Sequence, residues 1–165
     1  MPRTEGLGAR DWGLGDRAGA MTLQKAIERA QSRFAQNGRF SLLPNESINE
    51  VVSREKVPDA PGIYIIFSRD NLERPLYIGR AGTINTNGSW KGQKLRKRMR
   101  MKQGGMFRRE FFCRLMAGRG LAGLTFLWFV THNQNSRIIP ALAEMELLQA
   151  HYDQYDCLPE LNKCA

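Results

Sequence analysis

A small α/β fold of the α+β kind, a three-stranded mixed or antiparallel sheet flanked by helices, is what this sequence predicts. Three observations carry that expectation. Ile63–Phe67 and Leu76–Ile78 are short β-branched and aromatic runs separated by a polar connector, the pattern of two neighbouring strands. Leu124–Thr131 is a longer apolar run, read as a buried third strand. Between and around these runs the apolar residues recur at helical spacing, so the order from residue 63 onward is β-β-α-α-β-α.

The elements follow in chain order. Residues 1–21 are rich in glycine and nearly free of aliphatic side chains, and read as a flexible tail or as translated sequence upstream of a start at Met21. Thr22 is placed to cap a helix running to about Asn37, with Leu23, Ala26, Ile27, Ala30 and Phe34 on one face and Gly38 as its stop. Residues 47–56 read as a further helical turn or two, and Pro58 and Pro61 end it. Residues 22–60 are thus expected to be an N-terminal helical extension, and residues 61–165 a separate compact domain. Residues 81–92 read as a loop. Residues 93–102 read as a basic helix with Leu95 and Met99 as its apolar pair. A further helix is expected over 106–116 with Phe107, Phe111 and Leu115 buried, and a last one over 138–155. On the last helix, Ala141, Met145, Leu148, Tyr152 and Tyr155 read as the apolar face.

The net charge of +9 on 165 residues is concentrated. Eleven bases lie between Lys91 and Arg119 against one acid, Glu110, so the whole excess sits in that stretch. Such a cluster is the electrostatic footprint of phosphate binding, and Lys91, Lys94, Arg96, Lys97, Arg100, Lys102, Arg108 and Arg109 are the expected nucleic-acid contacts. A solvated helix face, an acidic protein or an anionic membrane surface would suit charge alone equally well. The membrane reading lacks an amphipathic basic helix with bulky aromatic anchors. No apolar run approaches the roughly 20 residues that span a bilayer, so no membrane partner is expected. Residues 1–21 lack the pattern of a secretory leader, so the cytoplasm is the expected location. Three scattered cysteines exclude a disulfide framework, and the spacing of Cys157, Cys164, His132 and His151 matches no common zinc pattern.

Two tripeptides stand out. Gly62-Ile63-Tyr64 is followed, thirteen residues on from tyrosine to tyrosine, by Tyr77-Ile78-Gly79. Downstream come Leu95-Arg96-Lys97-Arg98, then Glu144 with Leu147-Leu148, then Pro159-Glu160-Leu161-Asn162. This ordered set, spanning roughly 61–163, resembles the catalytic module of the GIY-YIG endonucleases, including that of the bacterial excinuclease. The chain departs from that module in a longer loop before Arg98 and a longer interval from Glu144 to Asn162. Arg80 stands where the excinuclease module has lysine, and Lys102 where some relatives carry histidine.

The resemblance implies a metal-dependent endonuclease acting on nucleic acid, DNA first among the substrates, with one Mg²⁺ or Mn²⁺. Its site residues would be Tyr64, Tyr77, Arg80, Arg98, Glu144 and Asn162, with Glu144 holding the metal. The chemistry makes these residue types compatible. A carboxylate-bound metal supplies a Lewis acid, and an arginine fork neutralises the non-bridging oxygens. A tyrosine can position water, or accept its proton if a nearby cation such as Arg80 depresses its pKa. Asn162 would support the site by hydrogen bonding. Glu146 competes with Glu144, and Glu144 is preferred because it borders the apolar face that meets the sheet. His151 is expected nearer to substrate than to metal. The rival expectation is a noncatalytic nucleic-acid-binding module that keeps the fold.

Overall fold

The computed structural model describes residues 21–103 and 105–164. The expected tail lies outside them apart from Met21.

Helix α1, Leu23–Arg33, begins where Thr22 accepts a hydrogen bond from the Lys25 amide through its side chain. It ends four residues before Asn37, its expected last residue. Asn37 Nδ2 donates to the Phe34 carbonyl at 2.6 Å, and the chain turns into strand β1, Asn37–Leu42. Gly38 lies within this strand rather than after a helix. A Cβ there would sit 2.5 Å from the Trp128 ring, so only glycine lets the indole lie flat on the backbone.

Helix α2 spans Ile48–Arg54, strand β2 Gly62–Ser68 and strand β3 Tyr77–Ala81. The expected loop after β3 holds a short hairpin, β4 at Thr83–Ile84 with β5 at Trp90–Lys91. Helix α3 covers Leu95–Arg100, and a second short hairpin pairs β6, Lys102–Gln103, with β7, Met106–Phe107. Helix α4 spans Arg108–Arg119 and closes on Gly120 in the left-handed region at φ 60°, where glycine carries no steric penalty. Strand β8, Leu124–Val130, and helix α5, Pro140–Tyr155, complete the chain.

The main sheet is antiparallel with four strands in the order β1-β8-β2-β3, one strand more than the sequence suggests. The added strand is β1, which pairs with β8 from Asn37↔Phe129 to Leu42↔Leu124. Residues 22–60 therefore supply a strand of the sheet and helices packed on it, not a purely helical extension. Strand β2 is central and buried on both faces, which explains its unbroken apolar run. Alternation along it divides the core. Tyr64 and Ile66 face α2, α3 and α4, together with Phe126 and Trp128. Ile63, Ile65 and Phe67 face α1 and α5.

Two helices are rotated from expectation. On α4 the buried stripe is Arg108, Phe112 and Met116, whereas Phe107 is 59% exposed and Phe111 and Leu115 only border the core. On α5 the buried residues centre on Ala143, Leu147, Leu148, Ala150 and His151, while Met145 and Tyr152 are exposed. Both helices are rich in apolar side chains on several faces, so periodicity alone defines their orientation poorly.

Candidate active site

The register of β2 against β3 sets the site. Tyr64 lies opposite Gly79, and Tyr77 is two residues before Gly79, so both tyrosines project from one face of the sheet. Their rings lie 5.7 Å apart, tilted by 40°. The glycines of the two tripeptides have packing roles. A Cβ on Gly79 would fall 2.3 Å from the Tyr77 ring, so glycine lets that ring lie down over β3. A Cβ on Gly62 would meet the Phe129 carbonyl oxygen at 2.1 Å and Leu95 at 2.7 Å, so glycine admits both β8 and the first residue of α3.

Helix α3 is held by its N-terminus. The Leu95 amide donates to the Ala60 carbonyl at 3.0 Å, and Arg96 Nε to the Val57 carbonyl at 2.6 Å. Leu95 and Met99 are fully buried against the sheet. Arg98 is half-buried beside the phenols, and Arg100 is exposed. Burial works against the Arg98 charge, but the neighbouring Tyr64 and Tyr77 phenols outweigh it and hold the guanidinium above its ordinary value.

Tyr77 itself is pushed up to about 12, first by burial and then by the Tyr64 phenol beside it; Arg108 and Arg98 pull in the opposite direction. The cations near the tyrosines are therefore Arg98 and Arg108. Arg80, expected in that role, points to α5 and bonds Glu144 at 2.5 Å. With its value raised, Tyr77 is a hydrogen-bond donor at neutral pH rather than a base.

Glu144 lies close to the sheet with a side chain 13% exposed, and burial raises its pKa despite the opposing charges of Arg80 and Arg98. Glu146 is 44% exposed and pairs with Arg33 of α1 at 3.1 Å. Of the two, Glu144 shares its surroundings with Arg98. Asn162 clamps the sheet edge at β3: its Oδ1 accepts from the Ile78 amide at 3.0 Å and its Nδ2 donates to the Ile78 carbonyl at 2.7 Å. Its amide is thereby used at both ends, holding β3 in place behind Tyr77.

The basic residues separate into two kinds. Lys91, Arg96, Lys97, Arg100, Lys102 and Arg109 are exposed and Lys94 is half-buried. Among the described residues no ion pair takes up Lys91, Lys94, Lys97, Arg100 or Arg109. Arg108 does not belong to this surface. It is buried on the inward stripe of α4, with its Cζ 5.7 Å from the Tyr64 ring centroid and 6.0 Å from that of Phe112. The sequence signal for it is the i, i+4, i+8 spacing of Arg108, Phe112 and Met116.

Among the described residues no three histidines, cysteines or acids cluster. His132 lies against Trp90 with ring centroids 4.7 Å apart and planes tilted by 59°, and His151 is buried with Nδ1 2.7 Å from the Cys157 carbonyl oxygen. No described helix is long and apolar enough to cross a membrane. Comparison of the chain with family models, with curated proteins and with solved structures finds no match in any of the three.

Proposed function

We propose that this chain is a metal-dependent endonuclease of the GIY-YIG type that hydrolyses phosphodiester bonds, with DNA as its substrate. The observation that carries the reading is a set of four groups from separate elements, three of them on the tyrosine face and Glu144 on α5 within the electrostatic reach of Arg98. Tyr64 and Tyr77 share one sheet face, Arg98 of α3 lies beside both, and Glu144 of α5 lies within the field of Arg98. The uncompensated bases around α3 supply a surface for the phosphate backbone.

The donor set suits a hard divalent cation. Glu144 offers one ionisable carboxylate, and Mg²⁺ typically takes one or two carboxylates and completes its shell with water and substrate phosphate. When bound, Mg²⁺ or Mn²⁺ would supply Lewis-acid stabilisation of the phosphoryl oxygens. Arg98 would place a planar fork on the non-bridging oxygens as negative charge grows there. Tyr77, protonated at neutral pH, would donate a hydrogen bond that orients the attacking water or an oxyanion. Arg80 would trade its bond to Glu144 for substrate or solvent when the carboxylate is engaged. Asn162 would keep β3, and with it Tyr77, in position.

Nicking of supercoiled plasmid DNA with Mg²⁺ or Mn²⁺, and its loss on chelation, is the test. Salt-sensitive DNA binding without nicking under either metal would replace this reading with a noncatalytic binding module. The bond between Arg80 and Glu144 favours that alternative to the extent that substrate fails to displace it.

A further inference from the structure

The sheet face that carries the tyrosines holds more buried positive charge than the expected catalytic set requires. All three Arg108 guanidinium nitrogens are buried and without a hydrogen-bond partner, and so are Arg98 Nε and the Tyr64 hydroxyl. No ion pair reaches Arg108 among the described residues. Taking an unpaired guanidinium out of water costs several kcal/mol, and a packed apolar side chain of similar size would be cheaper. A fold carrying this cost places the charge where some other group can use it. The groups within reach are aromatic: Tyr64, over whose ring the guanidinium sits, and Phe112 behind it.

We propose that Arg108 is a positioning residue for the tyrosine pair: its buried guanidinium holds a positive field on the phenols, so that a phosphate oxyanion brought against Tyr77, the partly exposed member of the pair, meets a stronger hydrogen-bond donor. The inference rests on the nuclease reading for the identity of the oxyanion, and on Arg108 alone for the field. The charged and titratable groups facing the phenols are Arg98 from α3, Arg108 from α4 and each phenol toward the other. The buried residues that α2 brings to this core, Ile48, Val51 and Val52, are apolar. Arg98 is half-buried, so part of its guanidinium is left for a bound phosphate to engage. Arg108 is fully buried and keeps its field on the phenols throughout. A phenol under a positive field is more acidic and donates a stronger hydrogen bond to an anion.

The test replaces Tyr77 with ring-fluorinated tyrosine, whose more acidic phenol titrates at a pH the fold withstands, and follows it by fluorine NMR without DNA. Arg108→Met is expected to raise the phenol titration by about one to two pH units, the scale of a unit charge at this separation in a partly buried site. Arg108→Lys should stay nearer to wild type than to Arg108→Met. Single-turnover cleavage by Arg108→Met should fall about 10-fold with DNA affinity unchanged. Thermal stability should hold or rise, because an unpaired buried charge has been removed. Arg108→Gln, neutral and polar, repeats the test if the methionine variant does not fold. Neutral variants that titrate like wild type would overturn the proposal. Loss of the fold in both would overturn it as well, by making Arg108 a structural residue. A wild-type chain without nicking activity would remove the nuclease reading and leave the titration to decide Arg108.

Discussion

The two faces of the central sheet are built from the same strands and differ in what they leave unsatisfied. Against α1 and α5 the sheet packs Ile63, Ile65, Phe67, Ile78 and Phe129 onto leucines and alanines. The buried polar atoms without partners on α5 and β8 there, His151 Nε2 and Thr125 Oγ1, belong to neutral groups; burial lowers the His151 pKa and keeps it uncharged. Against α2, α3 and α4 the sheet packs Tyr64, Ile66, Phe126 and Trp128, and that face keeps two guanidinium groups with unpartnered buried nitrogens. One face is a stabilising core. The other gives up stability to hold charge, which is a mark of sites that bind or process an anion.

The comparison can be broken most sharply at Glu144, which grows from the apolar-face helix yet lies within the field of Arg98. Glu144→Ala is expected to abolish cleavage and leave DNA affinity largely intact, since it removes the proposed metal ligand and not the basic surface. Plasmid nicking and filter binding measure the two. An inactive Glu146→Ala beside an active Glu144→Ala would reverse the assignment.

Next comes the arginine pair on α3. Arg98→Lys keeps the charge but loses the fork, and should lower the single-turnover rate at least about 100-fold, roughly 2.7 kcal/mol of transition-state stabilisation. Arg100→Lys, at an exposed position, should change it little. Equal small losses would reduce α3 to a binding surface.

Stability separates the faces in a complementary way. Leu147→Ala, in the core between α5 and the sheet, should cost about 2–5 kcal/mol in denaturant unfolding. Tyr64→Phe removes a buried hydroxyl that has no partner, and should cost less than about 1 kcal/mol while cleavage falls. A large destabilisation from Tyr64→Phe would show that its hydroxyl is structural.

The smallest expected effect is on pH. A raised Glu144 pKa means that protons compete with metal at a higher pH than for an ordinary glutamate. Mn²⁺ affinity should therefore weaken on acidification before the usual carboxylate range is reached, and recover as pH rises through the Glu144 value. Calorimetric titration across that window checks it. An affinity that declines only in the ordinary glutamate range would mean that metal binds where burial does not act.

The order of residues is enough to define the class of fold and the strands at β2, β3 and β8, whereas the common face of Tyr64 and Tyr77 follows from the register of β2 on β3. Those strands rest on short apolar, β-branched and aromatic runs bounded by polar connectors. Residue order also separates Arg98 from Arg100, because a helix turns 100° per residue, but the preference for Glu144 over Glu146 rests on an apolar face that α5 does not bury. The remainder depends on packing between distant elements. Strand β1 carries just Phe40 and Leu42 as alternating core residues, too short a pattern to distinguish from the end of a helix until β8 pairs with it. Adjacency to Gly79 assigns Arg80 to the tyrosines, but strand alternation sends it to the opposite face, where Glu144 of α5 meets it. Arg108 opens a helix whose charged and apolar residues mix on several sides, so its inward direction depends on which stripe of α4 the sheet accepts. Local patterning is written in neighbouring residues. The partner of a long, charged side chain is chosen by elements far away in the chain, and that choice sets the electrostatics of this site.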